Sequence, residues 1–432
     1  MEAALATILF MIVILAIVLR IVEEAVAALI GVFLMIILTS YTPEQAFNYI
    51  DWDVMAILFG MWIITGYMIK AGFSYVVLNN IKKRVSSYRA LLMLLAVAAG
   101  FISMFVDNVL VILLFGSLVL EAARRSNANP VLAVLLIGFS ANFMGTALLM
   151  GDLPPQLLHS VAGAEFLDFI WSHGRPSSFI LLTITFIITL GSYYWIFVRK
   201  EPDKLPQISD DENNVNKGLL LVSSTFFVLT VIGMALRPML GVPLGFITMM
   251  GASSLALTVE LARKAGKDWP GFDDILLEVE WRALLFYASL FSLVGGLEHS
   301  GALYRAAESL IPYLNIGGIT AYSLAYWVVG GLSSIVEHDA LLLTFLYIIK
   351  NAAAAGGFNP WPLYWGMAWS ATLASNTTTA AAPALYVALT LAEEKGYRVS
   401  PKEFLKYSIP FAWISLVVHF IISAIVWAPL IE

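Results

Sequence analysis

The sequence predicts an all-α polytopic membrane protein made of two inverted-topology repeats, each with a re-entrant hairpin and a broken helix. Three observations carry this prediction. Of the 432 residues 60% are hydrophobic and only 12% charged, with a mean hydropathy of +0.85, whereas soluble domains carry about 25% charged residues. The lysines and arginines fall almost entirely in every second loop. The chain also repeats its own pattern at an offset of 229 to 230 residues.

The apolar runs come first. Leu5–Leu19, Ala25–Thr39, Ala90–Val106, Phe179–Val198, Leu219–Leu236, Leu244–Glu260 and Ile409–Trp427 approach the ~20 residues that span a bilayer as helix. A β-barrel would show alternating segments of ~10 residues, and none is present. The first run lacks a basic leader and a small-residue cleavage site, so it reads as a retained helix and not a signal peptide. There is no cysteine among the 432 residues, which excludes disulfides and thiolate metal sites. The five histidines show no metal-ligand spacing. The net charge of −6 resides in loops, with no basic tract to suggest nucleic acid.

The loops then orient the chain. With alternating sides, 20 of the 24 Lys and Arg fall on one side: Arg20, the Lys70–Arg89 segment, Arg124 and Arg125, the Arg199–Lys217 segment, the Arg263–Arg282 segment and Lys395–Lys406. The other side holds Arg175, Arg237, Arg305 and Lys350. The positive-inside rule makes the first side cytoplasmic and both termini external, in a cytoplasmic (inner) membrane. The polar stretch "RKEPDKLPQISDDENNVNK" is a tether. It divides the chain into an N-terminal repeat (1–198), a cytoplasmic linker (199–217) and a C-terminal repeat (218–432).

The two repeats match in register. Trp52, Gly66 and Gly72 lie 229 residues before Trp281, Gly295 and Gly301, and Val106-Asp107-Asn108 lies 230 before Val336-Glu337-His338. The same offset pairs "FSANFMGTALLMGDLPP" with "WSATLASNTTTAAAPAL". Equivalent loops carry opposite charge character. Lys70–Arg89 is basic and Glu298–Gly317 is not; Arg263–Arg282 is basic and Ser40–Asp53 has none. Inverted repeats with a site near the midplane are a transporter architecture.

Two kinds of irregularity mark that site. Ala90–Leu120 is 31 residues between two basic clusters. As helix it covers about 46 Å, short of the roughly 60 Å that two crossings need. It is therefore expected to enter and return, with Asp107-Asn108 at the tip and Asp107 capping the second arm. Ile319–Ile349 repeats this from outside, with Glu337-His338-Asp339 at its tip. Intramembrane acids are expensive and functional by default, so Asp107, Asn108, Glu337, His338 and Asp152 are the candidate coupling-ion residues, for H⁺ or Na⁺. In the second irregularity, Asn142, Gly145, Thr146, Gly151 and Pro154-Pro155 break one helix, and "ASNTTTAAAP" breaks its counterpart. Irregular backbone at membrane depth lines a protein-enclosed site. Asn142, Gly145, Thr146, Ser375, Asn376 and Thr377 are the candidate substrate-binding residues.

"FVDNVLVILL", "ANFMGTALLMGDLPP", "SNTTTA" and "EKGYRVSPKEFLKYSIP" (Glu394 to Pro410) resemble the ion transporter superfamily. The resemblance is to its arsenite permease, P protein and citrate-transporter-like group and covers nearly the whole chain. It implies paired re-entrant hairpins, paired broken helices with Asn/Ser/Thr motifs and, often, a homodimer; no cofactor beyond the coupling H⁺ or Na⁺ is expected. The chain departs from the group at Gln156, where Asn is usual, at Glu337-His338 in place of the second "DN", and in its degenerate first triplet. The expected function is secondary active transport of a small anion or oxyacid coupled to H⁺ or Na⁺. A Na⁺/H⁺ antiporter is the alternative. An intramembrane aspartyl protease using Asp107 and Asp152 is a remote one; which metal, if any, the chain binds is left open, Na⁺ being the candidate.

Overall fold

A computed structural model of the chain describes residues 2–204, 215–314 and 317–431. The central part of the predicted linker, 205–214, lies outside the described residues. The first half contains α1 (Glu2–Val18), α2 (Glu24–Leu38), α3 (Pro43–Asn48), α4 (Trp52–Lys70), α5 (Phe73–Lys82), α6 (Tyr88–Ser103), α7 (Asn108–Arg125), α8 (Pro130–Met144), α9 (Leu153–Ala162) and α10 (Ser178–Ile196). The second half contains α11 (Lys217–Ala235), α12 (Leu244–Lys264), α13 (Phe272–Leu276), α14 (Trp281–His299), α15 (Ala302–Leu314), α16 (Gly318–Ser333), α17 (His338–Gly356), α18 (Trp361–Ser375), α19 (Pro383–Glu394) and α20 (Pro401–Trp427). A four-residue helix, Arg237–Leu240, joins α11 to α12 and has no partner in the first half; that short turn aside, each helix of the first half has a counterpart ten places later in this numbering.

Local chemistry explains the shared boundaries. Trp52 and Trp281 each begin a long helix. Gly72 (φ 91°) and Gly301 (φ 73°) sit in the left-handed region at the bend into α5 and α15, a conformation that a Cβ disfavours. Asp107 and Glu337 are both N-caps. Asp107 accepts from the Val109 and Leu110 N–H groups (2.9 and 3.3 Å), and Glu337 from those of Asp339 and Ala340 (3.0 and 2.8 Å), satisfying donors that have no partner within the helix.

Packing is reciprocal between halves. α4 packs on α12 and α2 on α14; α9 packs on α17 and α18, and α19 on α7 and α8; α10 meets its own counterpart α20. The arms α6 and α7 pack on each other and both pack on the 15-residue α8, which a straight continuation of one into the other would not allow. They form a helical hairpin, as do α16 and α17. The arms are longer than the apolar runs predict: 16 and 18 residues in the first hairpin, 16 and 19 in the second. The polar ends Tyr88-Arg89, Glu121–Arg125 and Lys350–Gly356 continue the helices. A two-residue antiparallel pair, β1 (Trp171–Ser172) with β2 (Arg175–Pro176), is the one departure from all-helical structure among the described residues.

The basic loops converge. The Arg89 Nε donates to the Glu201 carbonyl (2.7 Å), Asn129 N–H to the Glu201 carboxylate (2.7 Å) and Asn216 N–H to the Ala71 carbonyl (3.0 Å). Lys70 pairs with Glu278. These contacts gather the ends of α4, α7, α10 and the start of α11 on one face. Arg175 and Arg237 are tied elsewhere, to the Val426 carbonyl and to Glu165.

Six helices are long and apolar enough to cross a membrane, among the described residues: α4, α10, α11, α12, α20 and α17, the second arm of the second hairpin. Exposed Ile, Leu, Phe, Val and Trp cover α1, α2, α10, α11 and α12. In water such a surface would drive aggregation; in a bilayer it is the solvated face.

Candidate functional site

The two interrupted helices end against each other. Asn142 lies twelve residues into α8, about 18 Å along its axis, near half the thickness of a bilayer. Here Thr146 Oγ1 lies 2.6 Å from Thr372 Oγ1, and Asn142 Nδ2 donates to Ser375 Oγ (3.0 Å). The segment after α8 then folds onto the tip of the α6–α7 hairpin. A Cβ on Gly151 would collide with the Gly145 carbonyl and would stand 2.5 Å from the Ser103 carbonyl oxygen. Only glycine permits that approach.

The hairpin tip and the break are joined by side chains. Asn108 Nδ2 donates to Asp152 Oδ2 (2.8 Å) and lies 3.2 Å from Asn142 Oδ1. Asp152 Oδ1 accepts the Leu153 N–H (2.9 Å) and caps α9. Across the cavity, His338 Nδ1 is 2.8 Å from the Ala381 carbonyl oxygen and 3.3 Å from Glu337 Oε1, and its Nε2 is 3.5 Å from Asp339 Oδ1. Glu337, His338 and Asp339 each offer one ligand atom within 4.8 Å of the others.

These groups form the floor of a cavity of about 490 Å³. Asp107, Asn108, Asn142, Asp152, Glu337, His338 and Asp339 line it, and exposed Arg20, Glu23, Arg282 and Tyr386 form its rim. Seven carboxylates line it against two guanidiniums. Four helix N-termini reach this region. Those of α7, α9 and α17 are capped by Asp107, Asp152 and Glu337. The fourth, at α19, has no side-chain cap, because Ala382 precedes Pro383 there. Arg20 is pinned beside it: Nη2 donates to the Thr379 carbonyl (2.8 Å), and the guanidinium lies 4.5 Å from the centre of the Tyr386 ring. The cavity therefore combines a carboxylate-rich lining with an uncapped helix start and a guanidinium, and Glu23 and Glu24 line it beside Arg20 as well.

The predicted residues divide accordingly. Every candidate coupling residue lines the cavity, and so does Asn142. Thr146 and Ser375 hydrogen-bond within the layer behind it. Gly145 provides room for Asp152, whose Cβ would stand 3.0 Å from a Cβ placed there. Asn376 and Thr377 are buried, and neither amide atom of Asn376 nor the Thr377 hydroxyl has a hydrogen-bond partner among the described residues. Sequence reasoning counted Arg20 and Arg282 only as topology charges and missed Glu24 and Tyr287, which also line the cavity. An acid immediately before the Ala25–Thr39 apolar run was the available signal for Glu24.

Two hairpins and two interrupted helices around one buried polar cavity, in a scaffold with lipid-type exterior faces, define a multi-pass membrane transporter. The family model described as "Citrate transporter" matches residues 10–370; the chain belongs to that family. Similar curated proteins include an uncharacterized transporter of Mycobacterium tuberculosis (strain ATCC 25618 / H37Rv), 28% identical over 376 residues and covering 85% of each chain. The P protein of Homo sapiens is 23% identical over 493 residues, covering 93% of this chain and 57% of that one. Among solved structures, the Alcanivorax borkumensis YdaH transporter aligns with TM-score 0.59 at 10% identity, over 88% of this chain and 85% of that one. Neisseria gonorrhoeae MtrF aligns with TM-score 0.61 at 11% identity, over 91% and 84%. These two likenesses concern the fold. The family and relatives are transporters, and the protease reading falls.

Proposed function

We propose that this chain is a secondary active transporter that carries a small anion or oxyacid, coupled to H⁺ or Na⁺, by alternating access of two inverted repeats. Each half has five crossing units: the counterparts of α1, α2, α4, the interrupted α8–α9 pair and α10. The hairpin returns to its own side. An odd number of crossings leaves the second half inverted. The face that gathers most of the basic loops is the cytoplasmic one under the positive-inside rule, so the Arg20–Arg282 rim opens inward.

The observation that carries the substrate reading is the uncapped α19 N-terminus with Arg20 beside it, in the same cavity as the carboxylate cluster. The first is a place for an oxyanion and the second a place for a cation. A polycarboxylate such as citrate, the ligand in the family's description, suits that helix start and its guanidinium neighbour. Seven carboxylates repel an anion that arrives alone, so cation or proton loading precedes it.

Proteoliposomes with an imposed pH or Na⁺ gradient test this. Accumulation of citrate or another small carboxylate or oxyanion above equilibrium is the expected outcome, and absence of uptake for every anion offered counts against the reading. The carboxylate excess favours a second reading, a Na⁺/H⁺ antiporter. Its mark is Na⁺/H⁺ exchange in vesicles that contain no transportable anion.

A further inference from the structure

We propose that His159 and Asp53 form a proton-binding site on the face opposite the basic loops, and that the bound proton bolts this side of the protein shut. The pair joins two parts of the fold. Asp53 lies in the first turn of α4 and His159 in the last turn of α9. The ring meets an oxygen at each nitrogen. Its Nδ1 lies 2.8 Å from the Ala164 carbonyl oxygen, and its Nε2 lies 3.3 Å from Asp53 Oδ2. A carbonyl and a carboxylate only accept, and a neutral imidazole has a single N–H. The arrangement therefore holds one proton more than a neutral ring and a carboxylate supply.

The surroundings suit this role. Asp53 Oδ1 accepts the Gly245 N–H (2.8 Å) and so ties in the start of α12, a helix with no side-chain cap of its own. Glu165, just beyond α9, also faces the ring, and Arg237 pairs with it. The helices α17 and α18 pack on α9 as well, but among the described residues they give the ring no hydrogen bond or ion pair. The His159 and Asp53 side chains are 10% and 26% exposed, so protons reach them from the aqueous phase on that side. That side is the outer one under the positive-inside rule.

Pseudo-symmetry shows what the contact closes. The counterparts of α4 and α9 are α14 and α19. In the second half, Ala283, Phe286 and Tyr287 of α14 and Ala384, Tyr386 and Val387 of α19 all line the open cavity. In the first half α4 packs directly on α9. Val54 follows the same pattern: it is buried, whereas Ala283, 229 residues later, lines the cavity. Opening on the outer side therefore has to part α4 from α9 and break the His159–Asp53 contact. The bolt is also one-sided. Arg282 and Leu389 stand at the positions equivalent to Asp53 and His159, and they cannot share a proton. A proton from the outer side thus favours the inward-open conformation, and by linkage that conformation binds the proton more tightly in the same ratio. The switching rests on the alternating-access reading above; the proton binding does not.

The test uses purified full-length protein in detergent, with a single cysteine at Val54 in a chain that has none of its own. A methanethiosulfonate reagent reads how often the seam between α4 and α9 opens. Each rate is compared, at the same pH, with that of a His159→Phe protein carrying the same cysteine, which cancels the titration of the thiol itself. At about pH 5.5, below the free imidazole value of about 6.5, the His159→Phe protein should label roughly 5-fold faster or more. At about pH 9 the two should label alike. Asp53→Asn still offers the Gly245 N–H an acceptor and should behave as His159→Phe does. Equal rates at both pH values, or one and the same ratio at both, in proteins with unchanged unfolding midpoints overturns the proposal. A pH-dependent ratio without gradient-driven uptake leaves the proton site standing and removes the transport reading; uptake with a flat ratio does the reverse.

Discussion

Asn376→Ala separates function from stability at one residue. Asn376 ends α18 at the second helix break. It is fully buried, and neither its Oδ1 nor its Nδ2 has a partner among the described residues. A buried polar group left unpaired costs about 1–3 kcal/mol. The substitution removes two such atoms and leaves a small void in their place, which costs about 1 kcal/mol for each methyl-sized volume. The two effects are comparable, so the net change should be small, within about 2 kcal/mol of zero. This is unusual for a buried residue, since most substitutions destabilise. Thermal unfolding in detergent should therefore show an unchanged or slightly raised midpoint; because the amide lies behind the cavity in this conformation, loss of substrate binding and gradient-driven uptake would mean that another conformation of the transport cycle turns it to the substrate. Such a pattern identifies a polar group retained for a ligand. A destabilised variant would mean that Asn376 has partners of its own, and wild-type substrate affinity in a stable Asn376→Ala protein would refute its role.

Other outcomes follow from the same geometry. Asp107→Asn keeps an N-cap acceptor for Val109 and Leu110 N–H but removes the charge, so folding should persist and gradient-driven accumulation should vanish; full accumulation in this variant would make Asp107 a structural cap only. Gly151→Ala forces a methyl against three backbone groups that cannot turn aside, with an expected loss of about 1–3 kcal/mol or more, read as a lower unfolding midpoint. In this cysteine-free chain, an impermeant thiol reagent applied to intact cells should label a cysteine at exposed Glu308 and spare one at exposed Lys204; the opposite pattern reverses the orientation.

Much of this architecture is written into short stretches of sequence. The Trp52–Gly72 and Trp281–Gly301 segments mark equivalent helices because a helix start and a left-handed bend leave fixed residue types behind. Asp107 and Glu337 were legible because a carboxylate inside an apolar run has few roles open to it, and both are caps at hairpin tips that line the cavity. The position of Asn376 behind the cavity was not legible. Whether a side chain at a helix break points into a cavity or away from it depends on the rotation of α18 against α8, which no local pattern records. Arg20 was hidden for a different reason. A lone arginine at a helix end reads as a topology signal, and only the tertiary approach of the Thr379 carbonyl and Tyr386 reveals its place beside α19. The missing cap of α19 was visible as Ala382-Pro383, but an absent side chain is a weak signal until the other three helix starts are seen to be capped.

The scaffold is close to symmetric, but its chemistry is not. Three positions set the halves apart: Asn108 against His338, Val109 against Asp339, and Asp152 against Ala382. The first two concentrate ionisable groups at the tip of the second hairpin. The third caps α9 with a carboxylate and leaves α19 open, next to Arg20. A fully symmetric site would present the same potential twice and could not hold a cation and an anion side by side. The proposed alternating access would ask that the halves exchange conformations, a demand with which their matching helix order is consistent. The proposed coupling would ask that the halves bind different charges, and it is at the hairpin tips that their ionisable residues differ. If the proposed coupling is right, His338→Asn with Asp339→Val, which leave the Asp152 cap in place, should fold and lose gradient-driven accumulation in proteoliposomes; full accumulation in that variant would refute this use of the asymmetry.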